Sequence, residues 1–142
     1  LKQLERNMEI NDFESSQYEN RCGDVFTHLR ELVKEKRQFD VVILDPPKLI
    51  DSQRALMSGA RAYQDLARHG FKLLKPGGVL FNFSCSGLMT AELFQKITAS
   101  AALEAGVDAR IIAHLEQSPD HPTLLSVPET FYLKGLVTRL NA

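Results

Sequence analysis

Two short polar clusters hold the side chains of this chain that are best suited to covalent chemistry. Asp45 opens the first cluster and is followed by Pro46, Pro47 and Lys48. Cys85 lies in the second cluster, with a serine on each side of it. A cysteine thiolate can act as a nucleophile, and a nearby carboxyl group can hydrogen-bond to or protonate the molecule under attack. The two clusters therefore suggest a catalytic site, provided that the fold brings them together.

The apolar runs in front of the two clusters predict the strands that would position them. In FDVVILDPPK, four consecutive apolar residues precede Asp45, which is typical of a buried strand in a parallel sheet. Pro46 and Pro47 cannot continue a ladder, so Asp45 is expected at the carboxyl edge, where open α/β sheets bind ligands. A second strand is predicted from Gly77 to Ser86. If the two strands are neighbours, roughly 5 Å apart, Asp45 and Cys85 face one pocket.

Helical and strand patterns alternate along the rest of the chain. Apolar residues at helical spacing predict helices over 1–11, 24–37, 52–74 and 90–105. The first helix would place Leu1, Leu4 and Met8 on one face, and Asp24 is predicted to cap the second helix. Further strands are predicted over 18–22, 107–115 and 131–140, with Cys22 in the core. This alternation predicts an α/β fold.

Composition and charge exclude several classes of protein. With 142 residues, 44% hydrophobic and 25% charged, the chain has the size and composition of one soluble globular domain. No apolar run approaches the roughly 18 residues of a membrane span, and no signal peptide is recognisable, so a cytoplasmic protein is expected. The two cysteines lack metal-site spacing, which predicts free thiols and no metal. A net charge of −1 gives no general attraction to nucleic acid, so such a partner would need a local basic patch.

The order of the motifs resembles that of one enzyme family. The chain contains, in sequence, RCGDVF, FDVVILDPPK, LLKPGGVLFNFSCSG and DHP…VPETFYLKG. This order resembles the bacterial large-subunit ribosomal RNA cytosine-5 methyltransferases over nearly the whole chain, with DPPK and FSCSG as the most specific pair. Members of that family are class I methyltransferases that use S-adenosylmethionine, and full-length members carry an N-terminal PUA domain. The resemblance implies a Rossmann-like class I methyltransferase sheet, ribosomal RNA as substrate and S-adenosylmethionine as cofactor.

One part of the family pattern is absent from the chain. A class I methyltransferase has a glycine-rich turn after its first strand and an acidic residue ending its second strand, and both serve the cofactor. The first glycine here is Gly23, and the chain opens at Leu1 rather than at a methionine. We expect residues 1–142 to be the C-terminal portion of one methyltransferase domain, with a sheet that lacks its first two strands. We expect this portion alone to bind S-adenosylmethionine weakly and to be inactive.

The resemblance implies a covalent mechanism for the two polar clusters. The Cys85 thiolate would add to carbon 6 of the cytosine, so that carbon 5 can take the methyl group before the thiolate is expelled. The dipole of the helix predicted to begin near Thr90 would favour the thiolate, whereas a cysteine that merely packs is the alternative. Asp45 would hydrogen-bond to or protonate the ring nitrogen, and its alternative role is to cap backbone N–H groups at the strand end.

The resemblance also implies which residues contact the cofactor and the base. Asp24 would contact the adenine amine, with Val25 or Phe26 beside the ring and Asp45 at the edge of the same site. A simple helix N-cap is the alternative for Asp24. The predicted contacts with the base and its phosphate lie in the loop after Asp45, namely at Pro46, Pro47 and Lys48. A solvated lysine explains Lys48 as well as a phosphate contact does.

Other charged residues allow more than one interpretation. The third predicted helix and the residues after it carry a basic stripe, namely Arg54, Arg61, Arg68, Lys72 and Lys75. A solvated face explains this stripe as well as RNA contact does. Three residues near the end match the family's C-terminal pattern, namely His121, Glu129 and Lys134. The sequence assigns them no mechanism.

Two other functions fit parts of the sequence. Amino-group methylation of adenine or guanine also uses a DPP motif, but an aromatic residue usually follows the prolines where this chain has Lys48, and Cys85 would have no role. A non-catalytic RNA-binding or assembly module would explain the absent glycine-rich turn, whereas the net charge of −1 argues against strong RNA binding. The truncated sheet would also expose the edge at Val41–Leu44. This predicts either pairing of that edge with a second copy as a homodimer or with the displaced strand, or disorder of the residues before about Arg37.

Overall fold

The computed structural model describes residues 2–141, and its centre is a four-stranded sheet. The strands are β1 (Phe39–Leu44), β2 (Leu74–Ser84), β3 (Ala109–Leu115) and β4 (Lys134–Leu140), and their order in the sheet is β1-β2-β4-β3. β1 pairs with β2 in parallel, whereas β4 pairs antiparallel with both β2 and β3. The predicted α/β class and the predicted antiparallel C-terminal strand are both confirmed.

The helices of the described residues begin and end at local sequence signals. They are α1 (Lys2–Ile10), α2 (Val25–Lys34), α3 (Leu56–Lys72) and α4 (Ala91–Ala105). Asp24 and Thr90 cap α2 and α4, because each side chain accepts a backbone hydrogen bond from the first turn. Gly106 ends α4 in the left-handed conformation, with a φ of 74°. Leu1, which was predicted on the apolar face of the first helix, lies outside the described residues.

The hydrophobic core lies between one face of the sheet and helices α2, α3 and α4. One group of buried residues packs these helices on the strands, and it includes Leu29, Leu44, Leu66, Phe71, Leu80, Ala101 and Leu140. A second group joins the segments after β1 and β2 to α3, α4 and β4, and its members are Ile50, Ala60, Tyr63, Met89, Phe94, Ile97 and Leu136. This second group packs beneath the turns that follow the two parallel strands, so it gives both polar clusters a rigid support.

β1 is less buried than the sequence predicts. Val41 is 50% exposed and Ile43 is 64% exposed, so the prediction of a buried strand is wrong for this face. Successive side chains of a strand point to opposite faces, and no helix within residues 2–141 covers the face that Val41 and Ile43 share. The position of Val41–Leu44 at a sheet edge is confirmed, because β1 has only β2 as a partner in the described sheet. The predicted homodimer stays a prediction.

The strand predicted over 18–22 is not formed. This segment is irregular, and Cys22, which was predicted to lie in the core, is exposed. A strand needs a hydrogen-bonded neighbour, and none lies beside this segment in the described part of the chain. Charged side chains fix its position instead, since Arg21 Nε lies 2.7 Å from Glu19 Oε1 and Arg21 also pairs with Glu35.

The junction of α3 and β2 also differs from the prediction. The helix predicted over 52–74 ends at Lys72, and Leu74 already belongs to β2. The register of β2 against β1 shifts between Leu74 and Val79, so the intervening residues, Pro76 among them, do not have to pair with β1. No helix within residues 2–141 has the length and apolar character needed to cross a membrane.

Candidate active site

The ends of β1 and β2 bring the two polar clusters to the same edge of the sheet. The two strands are parallel neighbours, and Leu44, the last residue of β1, is the partner of Asn82 in β2. Asp45 directly follows β1, and Cys85 directly follows the last residue of β2, Ser84. The predicted adjacency of the two strands is therefore confirmed.

Hydrogen bonds join the loop after Asp45 to the turn that contains Cys85. The hydroxyl groups of Tyr63 and Ser86 share a buried hydrogen bond of 2.9 Å. The Ile50 backbone N–H donates to Ser86 Oγ at 3.2 Å, and the Leu49 backbone N–H donates to the Tyr63 hydroxyl at 3.4 Å. Tyr63 lies on α3, so this helix fixes both segments against each other. The sequence pattern placed Tyr63 on the apolar stripe of its helix and gave no sign of this polar role.

Asp45 is exposed and borders a mostly apolar cavity of about 280 Å³. The residues lining this cavity are Val25, Ile43, Leu44, Asp45, Pro46, Pro47 and Leu66. No hydrogen bond to the Asp45 carboxylate is formed within residues 2–141, so its alternative role as a backbone cap at the strand end is not observed. Cys85 is not among the lining residues, because the cavity lies toward α2 whereas the Cys85 turn lies toward β4. The prediction that Asp45 and Cys85 face one pocket is therefore wrong for this cavity.

Cys85 is half-buried, and the residues before and after it in the turn are fully buried. Ser84 and Ser86 are both 0% exposed, and the Ser86 backbone N–H donates to Ser84 Oγ at 3.4 Å. The turn closes where the Met89 backbone N–H donates to the Ser86 carbonyl at 3.0 Å, and Thr90 then caps α4. Cys85 therefore lies shortly before a helix N-terminus, as predicted.

Lys134 is a further residue of this site, and the sequence gave it no mechanism. It is the first residue of β4 and is only 8% exposed. Its ammonium group donates to the Ser86 carbonyl at 2.7 Å and to the Tyr132 carbonyl at 2.6 Å. Burial lowers the pKa of Lys134, while the nearby Cys85, when it is charged, acts in the opposite direction.

The structure shows Asp24 as a helix cap. Its carboxylate accepts hydrogen bonds from the Thr27 backbone N–H at 2.9 Å and from the Thr27 hydroxyl at 2.7 Å. The Thr27 hydroxyl, and then the Thr27 backbone N–H, hold the pKa of Asp24 below its usual range. Val25 lines the same cavity as Asp45. Cofactor contact by Asp24 stays a prediction.

The basic residues are only partly available for a nucleic acid. Arg68 pairs with Asp65 and Glu104, and the Lys75 ammonium lies 2.8 Å from Asp40 Oδ2. These pairs neutralise two of the five residues of the stripe, so a solvated face and RNA contact both stay open as interpretations. Lys48 is exposed and forms no ion pair with residues 2–141. No group of three or more His, Cys, Asp or Glu side chains that could hold a metal ion lies within the described residues.

Solved structures define the class of this fold. A SAM-dependent methyltransferase from Streptococcus mutans matches 94% of this chain and 34% of its own length, with a TM-score of 0.78 at 18% identity. A methyltransferase complexed with SAH matches 94% of this chain and 34% of its own length, with a TM-score of 0.75 at 20% identity. The described residues therefore have the Rossmann-like fold of S-adenosylmethionine-dependent methyltransferases.

Proteins that are similar in sequence have a more specific name than the class of the solved structures. The chain is 46% identical over 140 residues to the ribosomal RNA large subunit methyltransferase I of Pseudoalteromonas atlantica, which is 99% of this chain and 35% of that protein. It is 50% identical over 132 residues to the protein of the same name from Alteromonas mediterranea, which is 93% of this chain and 33% of that protein. The chain thus spans about one third of the length of these relatives. No protein-family model matches it.

Proposed function

We propose that this chain belongs to an S-adenosylmethionine-dependent methyltransferase that methylates carbon 5 of a cytosine in ribosomal RNA. The observation that carries the proposal is the placement of Asp45 and Cys85 directly after two neighbouring parallel strands. The relatives support the ribosomal RNA substrate, since they are named ribosomal RNA methyltransferases. The methyl acceptor rests on Cys85, because a cysteine nucleophile is needed for carbon 5 and has no role in amino-group methylation.

The residues around the Asp45 cavity fit part of the proposed cofactor. Val25, Ile43 and Leu66 supply apolar walls, and Asp45 adds a carboxylate without a hydrogen-bond donor in the described residues. This combination suits a molecule that is partly apolar and positively charged, as S-adenosylmethionine is. When it is bound, S-adenosylmethionine supplies the methyl group. We propose that Asp24 and Val25 contact its adenine end and that Asp45 borders the site.

The chemistry of the base is proposed to depend on Cys85 and Asp45. The Cys85 sulfur forms a bond to carbon 6, and the ring electrons that this addition displaces make carbon 5 nucleophilic. Asp45 hydrogen-bonds to or protonates the ring nitrogen that becomes electron-rich in this addition. After carbon 5 carries the methyl group, its proton passes to water, the ring double bond re-forms and the Cys85 thiolate leaves. Pro46 and Pro47 form the wall beside the base, and Lys48 is placed to meet a phosphate.

Two cysteines in different settings allow a matched test in the complete protein. We expect Cys85→Ala to abolish methylation and Cys22→Ala, which changes an exposed cysteine, to leave it intact. RNA with 5-fluorocytosine at the target should trap the wild type and Cys22→Ala as covalent adducts, since the fluorine cannot leave as a proton does. Mass spectrometry of the product nucleoside should place the methyl group on carbon 5. Unimpaired turnover by Cys85→Ala, or a methyl group on an exocyclic nitrogen, would refute the proposed function.

A further inference from the structure

Lys134 carries a buried charge that no carboxylate balances. Lysine is almost never fully buried unless it is paired. None of the ion pairs within residues 2–141 includes Lys134. Two backbone carbonyls, those of Ser86 and Tyr132, accept hydrogen bonds from its ammonium group and replace part of its hydration. A carbonyl carries no full charge, so the ammonium remains without a counter-charge from any carboxylate of the described chain.

The backbone of the Cys85 turn is tied to Lys134 on both sides of Cys85. Ser84 is the partner of Lys134 in the antiparallel pairing of β2 with β4, and the Ser86 carbonyl accepts from the Lys134 ammonium. Cys85 lies between these two serines, so the turn cannot move away from Lys134 without breaking one of the contacts. An ammonium has three N–H donors, and the two carbonyls accept from two of them. The third N–H is therefore not used by these carbonyls.

Lys134 is the buried cation that contacts the turn, whereas Lys48 in the neighbouring loop is exposed. Those on the elements packed around the turn are Asp45 after β1, Tyr63 on α3, Glu92 in the first turn of α4 and Tyr132 before β4. Asp45 and Glu92 would oppose a negative charge on the sulfur, and the Tyr63 hydroxyl is already bonded to Ser86 Oγ. A charge on Cys85 and the charge on Lys134 stabilise each other, because Cys85 is the group that raises the pKa of Lys134 against the effect of burial.

We propose that Lys134 is a positioning residue that holds the turn of Cys85 through the Ser86 carbonyl and stabilises the Cys85 sulfur as a thiolate. The role of that thiolate in methyl transfer rests on the function proposed above. The thiol proton passes to water before the sulfur attacks carbon 6. The negative charge moves to the base when the sulfur–carbon bond forms and returns to the sulfur when that bond breaks. Lys134 therefore favours the release of the sulfur as well as its readiness to attack.

The first test measures the reactivity of the thiol rather than methylation. Iodoacetamide alkylation of the full chain is followed in a Cys22→Ala background, in which Cys85 is the remaining cysteine. At about pH 7 we expect Lys134→Met to lower the alkylation rate roughly tenfold, because nearby cations favour the reactive thiolate. Lys134→Arg, which keeps the charge, should stay within about threefold of the parent. Lys96→Met is the matched control, since Lys96 is exposed on α4, and should leave the rate unchanged.

Alkylation at about pH 10 separates charge from accessibility. Thiols are largely ionised there, so the rates of the Lys134→Met variant and its parent should converge. A rate that is equally low at both pH values, or an equal loss in Lys134→Arg and Lys134→Met, would indicate a merely structural role and overturn the inference. An unchanged rate in Lys134→Met at about pH 7 would overturn it too.

A second measurement needs no change at Lys134 and decides the matter if its variants do not fold. The coupling between two charges is reciprocal, so removal of the Cys85 sulfur must act on Lys134. We expect the pKa of the Lys134 ammonium, followed by NMR, to be lower in Cys85→Ala than in the wild type. An identical pKa in the two proteins refutes the inference. Neither test measures methylation. The inference about Lys134 can therefore fail while Cys85→Ala still abolishes turnover, and it can hold while Cys85→Ala leaves turnover intact.

Discussion

Removal of a single oxygen atom from Tyr63 should loosen the connection between the two halves of the proposed active site. Tyr63 is 1% exposed, and its hydroxyl bonds to Ser86 Oγ at 2.9 Å and accepts from the Leu49 backbone N–H at 3.4 Å. Tyr63→Phe keeps the ring and its edge-to-face contact with Phe94, whose ring centroid is 6.1 Å away. The change therefore removes polar contacts and little packing.

The expected loss of stability follows from the groups that lose a partner. Ser86 Oγ still accepts from the Ile50 backbone N–H, so this oxygen keeps one of its two bonds. The Leu49 backbone N–H loses its acceptor, although at 3.4 Å that bond is long. A buried polar group without a partner costs about 1–3 kcal/mol, and the length of this bond points to the lower half of that range. A loss of about 1–2 kcal/mol corresponds to a fall in Tm of roughly 3–8 °C for a domain of this size.

Urea unfolding of Tyr63→Phe and a control variant tests this reasoning. Tyr18→Phe is the control, because no hydrogen bond of the Tyr18 hydroxyl is formed with residues 2–141, and it should stay within about 0.5 kcal/mol of the wild type. In a double-mutant cycle with Ser86→Ala, the effects of the two changes should not add, since both remove the same bond. Additive effects, or a Tyr63→Phe variant as stable as the control, would show that this hydroxyl does not join the two segments.

Two further predictions concern the cap of α4 and the buried charge of β4. Thr90→Ala should lower the free energy of unfolding by about 1 kcal/mol in urea, because Thr90 Oγ1 accepts from the Leu93 backbone N–H at 3.1 Å, and Thr90→Ser should restore most of the loss. Burial lowers the pKa of Lys134 in the folded state, whereas its pKa in the unfolded chain is about 10.4. At pH values between the folded and the unfolded pKa, the unfolded chain therefore binds more protons than the folded protein does. Relative to Lys134→Met, the wild type should therefore gain stability as the pH rises through this window, and a stability difference that does not change with pH would contradict the reasoning.

The parts of the fold that sequence reasoning predicted are those set by local signals. Asp24, Thr90 and Gly106 mark helix ends through contacts within a few residues, and each does so in the structure. The prolines after Asp45 likewise end β1 where predicted. The segment 18–22 shows the limit of such signals, because a short segment becomes a strand only beside a hydrogen-bonded neighbour. The exposure of Ile43 has the same origin, since burial of a strand face depends on what covers it.

The candidate site also contains features that the sequence predicts and features that it does not predict. The placement of Asp45 and Cys85 at one edge of the sheet was predictable, because the carboxyl ends of neighbouring parallel strands meet there. The hydrogen bond between Tyr63 and Ser86 was not, because residues 23 positions apart meet there through the packing of α3. The contact of Lys134 with Ser86 spans 48 positions and depends on the register of an antiparallel pair. No spacing along the chain reports such a register.

The burial of Lys134 favours a role in function over one in stability. A lysine at the start of an apolar strand is ordinarily solvated, but Lys134 at the start of β4 is only 8% exposed. Transfer of an ammonium from water into the protein is unfavourable, and hydrogen bonds to two carbonyls offset only part of that free energy. The Ser86 carbonyl keeps the Met89 backbone N–H as a donor in Lys134→Met. Methionine has a similar length and no charge to bury, which offsets the hydrogen bond that the Tyr132 carbonyl loses, so Lys134→Met should leave the folded state about as stable as the wild type near neutral pH. If the same variant slows alkylation of Cys85, the positive charge is retained at this position for its effect on the sulfur, since the fold does not need it.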